Sequence, residues 1–169
     1  MSEAKGHRKL RVWEASMVLT EQTYILTALL PSDERYGLSS QMKRCAASVP
    51  SNIAEGYGRT HLGDYLKHLS YARGSLLELQ TQLEIAVRVK LLERDQVRAA
   101  WKTSHEAARM LTALIGSLEA KRPGVRETGG PYLVTGNQNV DWRNQPEPDY
   151  GSLGDVPEIS VPQPLRPET

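Results

Sequence analysis

Residues 62–86 read LGDYLKHLSYARGSLLELQTQLEIA, and this stretch decides the fold. Leu62, Leu66, Leu69, Ala72, Leu76, Leu79, Leu83 and Ala86 recur at intervals of three and four, the period of one helix face rather than of a strand. Leu77 and Ile85 stand off that stripe, so the helix is expected to be covered on a second side. Thr60 is placed to cap its start.

The same period continues on both sides. Leu10, Trp13, Met17, Tyr24 and Ala28 trace a first helix, with Thr20 or Glu21 at the intermediate turn and a stop at Pro31. Leu38, Met42, Cys45, Val49 and Ile53 trace a second, with Ser39 as its expected N-cap. Pro50 lies inside it, where the helix either kinks or ends at Val49 and restarts under Ser51 or Asn52. Val97, Trp101, Ser104, Ala108, Leu111, Ile115 and Leu118 trace a fourth, closed by Lys121, Arg122, Pro123 and Gly124. The links, at about 31–38, 57–60 and 90–94, are short, and short links make sequential helices antiparallel neighbours. The expected fold is all-α, an antiparallel up-down four-helix bundle.

Charge divides the 169 residues into two materials. Residues 1–126 carry 19 Lys and Arg against 13 Asp and Glu, while 127–169 carry 2 against 7. The second segment also holds Pro131, Pro146, Pro148, Pro157, Pro162, Pro164 and Pro167, which block helix propagation. It is expected to be a disordered or extended acidic tail with apolar islands at 132–134 and 159–161. Such a tail folds back on the basic body, holds off like-charged partners or is simply solvated. The longest apolar stretch, Tyr24 to Leu30, is broken by Thr27 and too short to span a bilayer. With a polar N-terminus unlike a signal peptide, the expectation is a soluble cytoplasmic protein with no membrane partner.

Chemistry-bearing patterns are sparse. The lone Cys45 excludes a disulfide scaffold and a CxxC zinc site; flanked by Ala46 and Ala47 on an apolar stripe, it reads as a small buried hydrophobe. His61 and His68 share a helix face about 10 Å apart, too far to hold one metal, and read as surface or hydrogen-bonded residues. Glu55-Gly56-Tyr57-Gly58-Arg59 opens like a phosphate loop, but His61 occupies the place of the third glycine and a helix, not a strand, precedes it. No Glu-x-x-His pair suggests a di-iron bundle. No catalytic residue, metal or cofactor is expected.

Three features exceed simple packing. Asn52 and Glu55 are polar in or beside the apolar run of the second helix. Arg73-Gly74-Ser75 interrupts the strongest helix, where glycine costs about 1 kcal/mol against alanine, so Gly74 is expected to admit a close neighbour. Arg73 is expected to pair with Glu55 or Glu78 in a network that fixes helix register. The basic residues Arg8, Lys9, Arg11, Lys43, Arg44, Arg59, Lys67 and Arg73 offer a field that attracts phosphate backbones, though a charged face is often only a solvated one.

These segments resemble a family. Leu10-Arg11-Val12-Trp13-Glu14-Ala15, the run from Tyr36 to Gln41, the run from Lys43 to Arg59 containing Ser51-Asn52-Ile53-Ala54-Glu55-Gly56, and the run from Ala72 to Leu83 containing Ala72-Arg73-Gly74-Ser75 are similar, in order and separation, to the bacterial four helix bundle proteins known from intervening sequences in large-subunit ribosomal RNA genes. The resemblance spans about residues 8–120. It implies a homopentamer of four-helix protomers without catalytic activity. A related branch, the accessory variability determinants of diversity-generating retroelements, looks like basic pentameric barrels that bind a reverse transcriptase and nucleic acid. On this pattern Asn52, Glu55, Arg73 and Ser75 are expected in a polar network or interface, and Lys43, Arg44, Arg59 and Lys67 as contacts to RNA or DNA. The tail beyond about 122 has no counterpart in the pattern. The competing expectation is a structural or regulatory scaffold that binds a protein and no nucleic acid.

Overall fold

The computed structural model describes residues 6–121. Four helices, α1 (Arg11–Thr27), α2 (Leu38–Tyr57), α3 (Leu62–Arg88) and α4 (Arg94–Glu119), are joined by short links and preceded by a 3-10 turn at Gly6–Lys9. Each packs on its sequence neighbours, and α1 closes the ring against α4, so α1 and α3 lie diagonally across the bundle. This is the expected antiparallel bundle, and no strand occurs among the described residues. The tail reading of 127–169, and the boundary at 126, lie outside them.

The stripe of α3 is the centre of the core: Leu69, Ala72, Leu76, Leu79, Leu83 and Ala86 are buried. Met42, Cys45, Val49 and Ile53 of α2 meet it, and Val97, Ala100, Ala107 and Leu111 of α4 complete it. In α4 the expected Trp101, Ala108, Ile115 and Leu118 flank this core, partly buried.

Helix α1 is rotated from the expected face. Its buried residues are Val12, Ser16, Leu19, Thr23, Leu26 and Thr27, whereas Tyr24 is half exposed and Ala28 is exposed. Small hydroxyl residues occupy the core side because each satisfies itself. Ser16 donates to the Val12 carbonyl at 2.6 Å and Thr23 to the Leu19 carbonyl at 2.8 Å, leaving only methyl and methylene surface toward the partner helices.

Helix α2 runs unbroken through Pro50, which is buried. Proline has no N–H, so the Ala46 carbonyl one turn earlier loses its intrahelical donor. The Thr20 hydroxyl of α1 lies 2.9 Å from that carbonyl and 2.8 Å from the Ser16 carbonyl, sharing one proton between them. A neighbouring helix thereby repairs the defect that the sequence left ambiguous.

The expected caps also move. Ser39 is buried inside the first turn of α2, and the cap comes from a second 3-10 turn, Ser32–Arg35, whose Glu34 carboxylate accepts the Leu38 N–H at 2.8 Å. His61, not Thr60, precedes α3. Glu93 and Gln96 form a reciprocal capping box on α4. At the other end of α3, Lys90 takes a left-handed φ of 61°, with its N–H on the Val87 carbonyl and the Leu91 N–H on the Ala86 carbonyl, a Schellman stop made without glycine.

Candidate functional site

The α2–α3 seam carries the residues that packing did not explain. Its antiparallel register is fixed by a row of polar pairs. Ser48 Oγ and Ser75 Oγ are 2.9 Å apart. Asn52 Nδ2 donates to the Ser48 carbonyl at 2.8 Å and to its hydroxyl at 3.0 Å. His68 Nδ1 donates to Asn52 Oδ1 at 3.4 Å, and His68 Nε2 lies 3.7 Å from Glu55 Oε1. Arg59 closes the row by binding Glu55 one helical turn away. Asn52, Glu55 and Ser75 therefore form one network, with Ser48 and His68 as the links.

Gly56 lets the two helices meet at this end. A methyl group on it would lie 2.8 Å from Tyr65 Cδ2 and 2.9 Å from His68 Cβ. The Ser-Asn-Ile-Ala-Glu-Gly segment thus has a physical reading: Asn52 and Glu55 bind across the seam, Ile53 fills the core, and Gly56 sets the approach.

Farther along the seam, Gln82 Nε2 donates to Glu78 at 3.3 Å and approaches Cys45 Sγ at 3.5 Å, and Arg44 lies 3.5 Å from Glu78. Burial, reinforced by Glu78, pushes the Cys45 thiol up, which fits a buried hydrophobe rather than a thiolate.

Two expectations are corrected here. Arg73 is exposed and pairs with neither Glu55 nor Glu78, because Arg59 and His68 hold the first carboxylate and Arg44 the second. Gly74 has open space about its Cα rather than a close neighbour. Both lie on the outer side of α3, about 100° per residue away from the buried Ala72.

The four expected phosphate contacts do not share one setting. Lys43 Nζ sits 5.6 Å over the Tyr24 ring, on the α1 edge of α2, while Arg44 faces α3. Lys67 Nζ lies 5.9 Å over the Tyr71 ring on α3, and Arg59 stands beyond the end of α2 on Glu55.

A feature that the periodicity did not point to gathers at that same end. The His7 ring packs edge-on to Trp13, with centroids 5.1 Å apart, and to Tyr57 at 6.4 Å; Tyr57 in turn packs on Tyr65 at 6.3 Å. The available signal was composition, since His7, Arg8, Lys9, Arg11 and Trp13 crowd the residues after Gly6.

Helices α1 and α3, with Leu29 just past the end of the first and the C-cap Val89 of the second, leave apolar side chains outside the bundle. Val18, Ile25 and Leu29 are 38%, 67% and 53% exposed; Leu77, Ile85 and Val89 are 55%, 43% and 57% exposed. Val18 and Ile25, seven residues apart, return to nearly one helical azimuth, whereas Leu77, Ile85 and Val89 spread over about 120° of the outer side of α3. No helix among the described residues is long and apolar enough to cross a membrane.

The family model described as 23S rRNA-intervening sequence protein matches residues 8–113. A crystal structure of a protein of unknown function from the S23 ribosomal protein family, from Bacteroides thetaiotaomicron VPI-5482, is similar over 62% of this chain and 97% of that one, at 23% identity and a TM-score of 0.58. That likeness concerns the fold. No curated protein matches significantly.

Proposed function

The chain belongs to the 23S rRNA-intervening sequence protein family, and from that premise we propose that it is a non-enzymatic cytoplasmic module. It assembles into a homo-oligomer, a pentamer by resemblance, and presents a basic surface to RNA or DNA and to a nucleic-acid enzyme such as a reverse transcriptase. Assembly is supported by the two outer apolar rows on diagonal helices. Where the α1 row of one copy meets the α3 row of the next, the contact is head to tail, and head-to-tail contacts close into rings when the rotation permits. The +6 balance of residues 1–126 is then repeated around the ring, so weak phosphate contacts add as avidity.

A native mass measurement tests this. The expected particle is a closed multiple of the 18.8 kDa chain, and a particle of one chain at every concentration overturns the reading. Nucleic-acid binding is expected to weaken steeply with salt.

The scaffold reading has one observation in its favour: Lys43, Arg44, Arg59 and Lys67 each already contact a ring or carboxylate of their own chain. Removing 127–169 separates the two readings. Unchanged or tighter RNA binding favours the nucleic-acid role, because seven acidic residues are lost with the segment and only two basic ones. Loss of a protein partner favours the scaffold.

A further inference from the structure

We propose that the corner formed by Gly6–Lys9, the end of α2 and the start of α3 is a stacking platform for a base of single-stranded RNA or DNA, with Tyr57 as the ring and Arg8, Arg11 and Arg59 as phosphate contacts. The inference rests on the nucleic-acid reading above and names a place for it.

Tyr57 is 45% exposed at the last position of α2. Its ring is held between His7 and Tyr65 at interplanar angles of 68° and 84°, so its orientation is set before any ligand arrives. The 3-10 turn is brought onto it by Gly6, whose φ of 73° is the left-handed conformation that favours glycine. That turn ends in His7, Arg8 and Lys9, and Arg11 opens α1 immediately after. Arg8 and Arg11 are exposed and make no ion pair among the described residues. Arg59 remains half exposed while bound to Glu55.

Other exposed tyrosines are poorer platforms. Lysine ammonium groups already lie over Tyr24 and Tyr71. Tyr36 follows a turn bearing Asp33 and Glu34, and Arg35 covers its ring. At Tyr57 the packed rings are His7 and Tyr65, and the exposed Arg8, Arg11 and Arg59 follow closely in the segments that meet at this corner. A fixed ring beside exposed cations is the combination that binds unpaired bases with little sequence preference, and a duplex offers it no unstacked base.

The test uses the full chain, with fluorescence anisotropy of a labelled oligouridylate, an oligothymidylate and a duplex of the same length at low salt. Tyr57→Ala is expected to weaken single-strand binding by about tenfold or more and to leave duplex binding unchanged, while Tyr57→Trp keeps single-strand binding. The pair Arg8→Gln and Arg11→Gln is expected to lower the salt slope by about 2. Wild-type affinity in Tyr57→Ala overturns the platform and leaves the nucleic-acid reading standing. Equal losses in Tyr57→Ala and Tyr57→Trp, or equal losses on single strand and duplex, overturn stacking as the cause. A wild-type chain that binds none of the three probes overturns both readings together.

Discussion

The hydroxyl of Thr20 on α1 donates to the Ala46 carbonyl on α2, the acceptor left empty by Pro50. A side chain from one helix thus completes the backbone ladder of another, and the cost of a buried proline depends on a residue thirty positions earlier. Thr20→Val is expected to destabilise the bundle by about 1–2 kcal/mol, because it strands a carbonyl inside the seam. In a Pro50→Ala background the restored N–H satisfies Ala46, and the same substitution is expected to cost less. A double-mutant cycle in urea measures the difference, and strict additivity would remove the coupling.

Gly56→Ala places a methyl group against Tyr65 and His68 at distances below any ordinary contact. Neither neighbour is a freely swinging chain end, so α2 and α3 must separate. The expected loss is about 1–3 kcal/mol, read from the thermal midpoint. Gly74→Ala, with open space around it, is the control and is expected to stabilise by up to about 1 kcal/mol through helix propensity.

His105 lies partly buried on α4, 5.2 Å from the Trp101 ring, with a buried Nε2 that has no hydrogen-bond partner among the described residues. Burial first, and Arg109 second, hold its pKa below the usual 6.5. The unfolded chain then takes up a proton that the folded chain resists, so stability is full above about pH 6.5 and falls as pH drops through that value toward the folded pKa. His105→Gln is expected to flatten this part of the thermal midpoint against pH curve.

Ile25 is 67% exposed on the outer row of α1, whereas Leu19 on the inner face is fully buried. Ile25→Glu is expected to change protomer stability by no more than about 0.5 kcal/mol and yet to reduce the native mass to that of one chain. Leu19→Ala is expected to cost about 2–5 kcal/mol of folding stability. If Ile25→Glu leaves the native mass untouched, the α1 row is not the assembly face.

The sequence by itself determined the number of helices, their antiparallel order and the core stripe of α3, since a period of 3.6 written in leucine and alanine needs no information from elsewhere in the chain. It also singled out Asn52 and Glu55, because polar residues inside an apolar run demand partners, and Ser75 through the break that Arg73-Gly74-Ser75 makes in the leucine-rich helix. Only the tertiary structure decided who those partners are. Ser48 and His68 complete the network, Arg73 faces solvent, and α1 turns Ser16 and Thr23 inward in place of Tyr24. The reason is that periodicity records which side of a helix is apolar, whereas the burial of a hydroxyl, the tolerance of a proline or the pairing of a carboxylate depends on donors and acceptors supplied by another helix across the seam.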